Sequence, residues 1–120
     1  MKTFKLFLRI SLFVCAGTIA NAHPLPKTAT PKPNAVLSTS PTEIRIGFSE
    51  GLVGPFSGME IRDKSGKPLI TGTAVLNPSD SSQLILPLTF KLVPGTYTVK
   101  WHAVGDDTHR VAGQYNFQLK

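Results

Sequence analysis

Apolar and polar residues alternate along several short stretches of this chain, the pattern of β-strands that bury one face. In 42–49, Ile44, Ile46 and Phe48 share one face, and charged or small residues occupy the other. No stretch after residue 22 sustains the period of an amphipathic helix. We therefore expect strands throughout this region. Further stretches of this kind are 59–62, 69–76, 83–88, 97–103 and 114–120.

Glycine and proline residues separate these stretches at intervals of roughly 8 to 12 residues. A proline-rich segment over 24–41 cannot be helical and predicts an edge strand or a fixed arm. Short strands at such spacing predict an all-β fold. We expect a small antiparallel β-sandwich or Greek-key barrel of about seven strands, immunoglobulin-like or cupredoxin-like.

The N-terminal segment differs from the rest of the chain. Three basic residues and no acidic one accompany an apolar run over 10–20, which ends in Ala20-Asn21-Ala22. This arrangement predicts a secretory signal peptide over residues 1–22, cleaved after Ala22. A transmembrane anchor is the alternative, but the run is shorter than the ~18 to 20 residues that span a bilayer. We expect an exported, periplasmic domain over 23–120 that does not insert into the membrane after processing.

Composition narrows the possible partners. The chain has 13 Lys and Arg against 7 Asp and Glu, and three of the basic residues lie in the predicted signal peptide. The mature side chains therefore carry a mild charge of about +3. The basic residues are scattered, which argues against a nucleic-acid partner. Cys15, the single cysteine, also lies in the signal peptide, so neither a disulfide nor a thiolate ligand is expected after cleavage.

Cleavage after Ala22 would make His23 the first residue of the mature protein. Its α-amine and its imidazole Nδ1 could then chelate one metal ion. Asp107 and His109, two positions apart in a strand or its flank, can present a carboxylate and a second imidazole to the same side. Nitrogen and oxygen donors in this combination suit Cu(II). Taken alone, the Asp-x-His pair is more typical of a solvated loop in which the aspartate orients the histidine; the terminal His23 is what favours a metal site.

Pro24 limits how copper can be bound at this terminus. A local square-planar site needs deprotonated amides and a histidine at the third position, but Pro24 has no N–H and Leu25 is third. The remaining arrangement is a histidine brace, with two donors from His23 and one each from His109 and Asp107. It would bind one Cu(II) per chain.

The sequence does not decide whether two further polar residues, His102 and Asp106, contribute to the metal site. His102 alternates with Trp101, so we expect it on the opposite, solvated face of its strand. Asp106 is expected to be a solvated neighbour that adds negative potential.

The mature region is similar throughout to the CopC-type copper-resistance domain, an exported copper-binding β-sandwich. The resemblance implies Cu(II) ligands at His23, Asp107 and His109, and a carboxylate at Glu50 that orients a ligand by accepting a hydrogen bond. It also implies an inner-membrane copper transporter of the CopD type as recipient. The resemblance to this family is carried by His23, Phe48-Ser49-Glu50-Gly51, Phe56-Ser57-Gly58, 93–101, Asp107-Thr108-His109, and Gly113, Tyr115 and Phe117.

Two departures from the family pattern indicate a member that binds Cu(II) only. Leu25 stands where many members have a second histidine, and Met59 is the sole methionine after residue 22. Thioethers are the soft ligands that Cu(I) prefers, and we expect Met59 to pack in the core.

The resulting hypothesis is a periplasmic Cu(II)-binding protein of copper homeostasis or resistance, which buffers or delivers copper and is not an enzyme. The alternatives are a histidine-brace copper monooxygenase and a metal-free immunoglobulin-like interaction module. Asp107 would fill a position that a monooxygenase leaves open for oxygen. Most aromatic residues of the mature chain fall in predicted core positions, which leaves few for a substrate platform.

Overall fold

The computed structural model describes residues 23–120, so the predicted signal peptide lies outside the described residues. Within 23–120 the chain forms strands and one short 3-10 turn at Gly54–Phe56. This range contains no helix long and apolar enough to cross a membrane. The strands are β1 (Pro26–Thr30), β2 (Val36–Leu37), β3 (Glu43–Phe48), β4 (Gly58–Arg62), β5 (Val75–Asn77), β6 (Asp80–Pro87), β7 (Gly95–Val104) and β8 (Arg110–Leu119).

The strands form two four-stranded sheets, in the orders β1-β3-β6-β5 and β2-β8-β7-β4. This confirms the predicted β-sandwich. The proline-rich N-terminal segment supplies β1, an edge strand antiparallel to β3. One pairing departs from the antiparallel pattern, because the two-residue strand β2 pairs in parallel with β8.

The core lies between the sheets and contains the residues that the alternating pattern placed there. Ile44 and Ile46 of β3 belong to this core together with Val99 and Trp101 of β7, and all four are buried. Met59 is partly buried and packs against this core, as predicted. The intervening residues of both strands point outward because successive side chains alternate between the faces of a sheet.

The predicted strand over 69–76 is wrong for most of its length. Leu69 continues the pairing with β4 by donating its N–H to the carbonyl of Ile61. The chain then leaves that sheet, with Ile70 94% exposed, and crosses to the other sheet, where β5 begins at Val75. Alternation of apolar residues does not distinguish a crossover from a strand, since both contain buried and exposed positions.

We expect Leu84→Ala to lower the free energy of unfolding by about 2 to 5 kcal/mol. Leu84 is fully buried on β6, directly beside Ile46 of β3, so truncation leaves a cavity between the sheets. Denaturant unfolding would measure the change. Ile70→Ala, at an exposed position, is the control and should alter the free energy by less than about 0.5 kcal/mol. Equal effects of the two substitutions would contradict the observed core.

Candidate metal centre

The candidate ligands gather at one end of the sandwich, where β3 ends and β7 turns into β8. Two backbone contacts join these regions. Leu52 forms an antiparallel bridge with Gly105, and the Val53 N–H donates to the Val104 carbonyl at 2.8 Å. The segment after β3 and the turn after β7 are therefore held side by side.

Ser49 fixes the N-terminal arm at this end. Its N–H donates to the Leu25 carbonyl at 2.8 Å, and its Oγ accepts the Leu25 N–H at 2.9 Å. Pro24 is buried, and His23 is half-buried beside it. His23 is thus anchored to the end of β3 through its two following residues.

Asp107 lies in the turn that follows β7, and His109 lies directly before β8, so the pair is at the flank of a strand, one of the two positions expected from the sequence. The Gly105 carbonyl accepts the Thr108 N–H at 2.9 Å, and Thr108 adopts a left-handed backbone conformation with φ 68°. Such a conformation is uncommon for a β-branched residue. This conformation brings the side chains on either side of Thr108, those of Asp107 and His109, together.

Asp107 contacts His109 twice. One carboxylate oxygen accepts the His109 N–H at 3.1 Å, and the other lies 3.0 Å from the imidazole Nδ1. The side-chain hydrogen bond first, and the backbone hydrogen bond second, hold the pKa of Asp107 below its usual value. Asp107 is therefore an anion at neutral pH. Because its carboxylate engages Nδ1, the Nε2 of His109 is the nitrogen left for a metal ion.

His23 lies close to Asp107 and His109. One potential ligand atom from each of His23, Asp107 and His109 lies within 4.8 Å of the others. The two imidazole rings are edge to face, with centroids 4.9 Å apart. Ligand atoms about 2.0 to 2.2 Å from a shared ion are at most about 4.4 Å apart, so a small side-chain movement would close the set around one metal ion.

Glu50 lies against the same turn. A Cβ atom at Gly105 would collide with Glu50 Oε1 and would come within 3.2 Å of an Asp107 oxygen, so the glycine makes room for both carboxylates. Glu50 Oε1 and His23 Nδ1 are both buried, and neither has a hydrogen-bond partner among residues 23–120. Buried polar atoms are rarely left unpaired, so these two atoms are suited to contact a bound metal ion or one of its ligands.

The other polar candidates lie apart from the three-residue cluster. His102 is half-buried and Trp101 is buried, in agreement with the predicted alternation along β7. Neither His102 nor Asp106 belongs to the group of potential metal ligands found within 23–120. Asp106 instead lies near Gly51, where a Cβ would approach its carboxylate to 3.3 Å.

Three residues shape this end through structural roles that the sequence did not predict: Ser49, Gly105 and Thr108. The position of Ser49 next to Glu50 could have indicated its importance, but a glycine at position 105 does not show which carboxylates lie against it. No pattern in the sequence indicates the left-handed backbone of Thr108, because threonine seldom adopts it.

Comparison with known proteins identifies related chains. The CopC domain family matches residues 26–120. Protein YobA of Escherichia coli (strain K12) is 42% identical over 90 residues, covering 75% of this chain and 73% of that protein. Copper resistance protein C of Pseudomonas syringae pv. tomato is 32% identical over 109 residues, covering 87% and 86%. The crystal structure of PcoC, a methionine-rich copper resistance protein from Escherichia coli, superposes with a TM-score of 0.70 at 34% identity, covering 82% of this chain and 100% of that one.

Proposed function

The chain belongs to the CopC family, and from that premise we propose that it is a periplasmic Cu(II)-binding protein of copper homeostasis or resistance. The proposal includes export, with cleavage after Ala22, and one Cu(II) per mature chain. Its role would be to buffer copper or to deliver it, and we assign it no catalytic activity. A membrane copper transporter of the CopD type is the recipient that the family membership suggests.

The convergence of His23, Asp107 and His109 is the observation that carries the proposal. His23 is far in sequence from Asp107 and His109, yet potential ligand atoms of the three residues lie within 4.8 Å of one another. Imidazole nitrogens and a carboxylate oxygen favour Cu(II) among the common divalent metals. Because Asp107 is ionised at neutral pH, it would offset part of the charge of the bound cation.

A histidine brace accounts for the two unpaired buried atoms. Cleavage after Ala22 would convert the backbone nitrogen of His23 from an amide into an amine, which can bind copper together with the imidazole Nδ1. Oε1 of Glu50, which has no partner among residues 23–120, can accept a hydrogen bond from one of the copper ligands. We therefore assign Glu50 to positioning a ligand and not to metal binding.

Titration of the protein that begins at His23 with Cu(II), followed by electron paramagnetic resonance, tests the proposed function. We expect saturation at one Cu(II) per chain and a tetragonal spectrum with nitrogen hyperfine structure. Zn(II) at equal concentration should displace little copper, because a site with these donors binds Zn(II) more weakly than Cu(II). A carboxylate-only spectrum, or no saturable binding, would contradict the assignment.

We expect Cu(I) to bind much more weakly than Cu(II). The chain after residue 22 contains no cysteine and only Met59, whose side chain packs against the core. Cu(I) prefers thiolate and thioether ligands, which this site lacks. Competition against a chromophoric Cu(I) chelator under anaerobic conditions would measure the affinity. Cu(I) binding as tight as Cu(II) binding, and lost in Met59→Leu, would show that the Cu(II)-only assignment is wrong.

Glu50→Ala should weaken Cu(II) binding by about 10- to 100-fold, the usual effect of removing a group that orients a metal ligand. Glu50→Gln should retain more of the affinity, because the amide oxygen can still accept a hydrogen bond. A competition titration measures both variants. Glu60→Ala is the matched control, since this glutamate pairs with Arg62 on β4. Equal affinities of Glu50→Ala and Glu60→Ala would remove Glu50 from the site.

A further inference from the structure

A groove of about 740 Å³ crosses the outer face of the sheet that contains β4, β7 and β8. At its centre Gly58, His102 and Ala112 lie side by side on the three strands. Thr73 and Ala74, from the connection between β4 and β5, also line the groove. None of the three candidate copper ligands lines it, so the groove is a separate feature of the molecule.

Two small residues make this face concave. Neighbouring side chains on a sheet normally cover one another, but Gly58 has no side chain and Ala112 has only a methyl group. The His102 imidazole lies over Gly58, where an added Cβ would come within 2.9 Å of its Cε1. His102 is therefore half-buried along the floor of the groove instead of projecting into solvent.

The groove is lined by more positive than negative charge. Lys100 lies two residues before His102 on β7, and Arg110 lies two residues before Ala112 on β8. Glu60 is the one acidic residue among those that line the groove, and its carboxylate pairs with Arg62 at 2.7 Å. Within 23–120 neither Lys100 nor Arg110 forms a salt bridge. Two cations therefore face the groove, and the acidic neighbour of Lys100, Glu60 directly opposite it on β4, is engaged with Arg62.

His102 is suited to a hydrogen bond between these cations. Burial first, and the charge of Arg110 second, lower the pKa of His102. At neutral pH it is then an uncharged imidazole, which can donate one hydrogen bond to an anionic oxygen. Gln114, which also lines the groove, is a further donor.

We propose that this groove binds a small organic dianion with a carboxylate at each end. One carboxylate would pair with Lys100, the other with Arg110, and His102 would donate a hydrogen bond between them. Same-face residues are about 6.6 Å apart along a strand, so the Cα atoms of Lys100 and Arg110 are roughly 14 Å apart on the diagonal, and their charged groups must lean towards each other to hold one ligand. Two carboxylates joined by a short chain require less of this approach than a single compact oxyanion such as phosphate. The proposal concerns a site distinct from the copper centre.

Titration of the metal-free protein that begins at His23 with glutarate, followed by amide NMR shifts, tests this inference. Acetate, inorganic phosphate and the uncharged glutaramide are the comparison ligands. We expect saturable glutarate shifts at the amides of Gly58, His102 and Ala112, with weaker binding of acetate and none of glutaramide. Phosphate bound more tightly than glutarate, or shifts outside the groove alone, would overturn the proposal.

Lys100→Gln and Arg110→Gln should each weaken glutarate binding by up to about fivefold, the effect of one partly exposed ion pair. Ala112→Leu, which fills the groove at an exposed position, should abolish binding. Lys91→Gln, at an exposed lysine outside the groove, is the matched control and should bind normally. Equal glutarate affinity in Lys100→Gln and Lys91→Gln would refute the site, whatever the result of copper titration.

Discussion

Replacing either Asp107 or His109 by alanine should weaken Cu(II) binding by at least about a hundredfold. Removing a group that only orients a ligand already costs about 10- to 100-fold, and loss of a ligand itself should cost more. The two substitutions should also be non-additive. Asp107 accepts hydrogen bonds from the backbone and the imidazole of His109, so Asp107→Ala releases the second ligand from its position as well.

His102→Ala is the control for these two variants, because it removes an imidazole of the same type outside the cluster of ligands. Its Cu(II) affinity should remain within about twofold of the unmodified protein, the scatter expected of a substitution away from the site. Competition titration with a Cu(II) chelator of known affinity measures all three. Equal losses in the three variants would show that the assigned ligands are wrong.

Blocking the amine of His23 should have a still larger effect, a loss of at least about a thousandfold in Cu(II) affinity. One extra residue before His23, or acetylation of its amine, removes one donor and opens the chelate ring. The imidazole must then bind without the advantage of a donor held beside it in the correct geometry. All side chains of the site remain present in the blocked protein.

The fold should tolerate this modification. The arm is anchored by Pro24, which is buried, and by the hydrogen bonds between Leu25 and Ser49. Circular dichroism and the thermal midpoint of the metal-free protein should therefore be the same with and without the block. If the blocked protein were unfolded, the loss of affinity would be explained by loss of the fold and not by loss of the amine.

The alternation of apolar and polar residues predicted the sandwich well, because every second side chain of a strand points into the core. Ile44, Ile46, Val99 and Trp101 were placed in the core on this basis, and the structure agrees. The two-residue strand β2 was not predicted, since two residues contain no period. The crossover after Leu69 was missed for the opposite reason, because its apolar residues imitate a strand.

The sequence predicted the candidate ligands, because these depend only on which residues carry donor atoms. It did not predict the backbone conformation that holds them. His23, Asp107 and His109 were singled out by their donor atoms, and the structure brings them together. The turn that joins the last two depends on the left-handed Thr108, which composition and spacing do not reveal. The space that Gly105 leaves for Glu50 was likewise hidden, because a glycine in sequence does not show what lies against it.

Electron paramagnetic resonance of Cu(II) bound to the protein that begins at His23, beside the same protein with one added N-terminal residue, tests the histidine brace most directly. The brace predicts nitrogen hyperfine structure from an amine and two imidazoles in the first protein. It predicts loss of the amine nitrogen, with a change of spectrum and a collapse of affinity, in the second. Identical spectra and equal affinities in the two proteins would contradict the brace and the proposed function that rests on it.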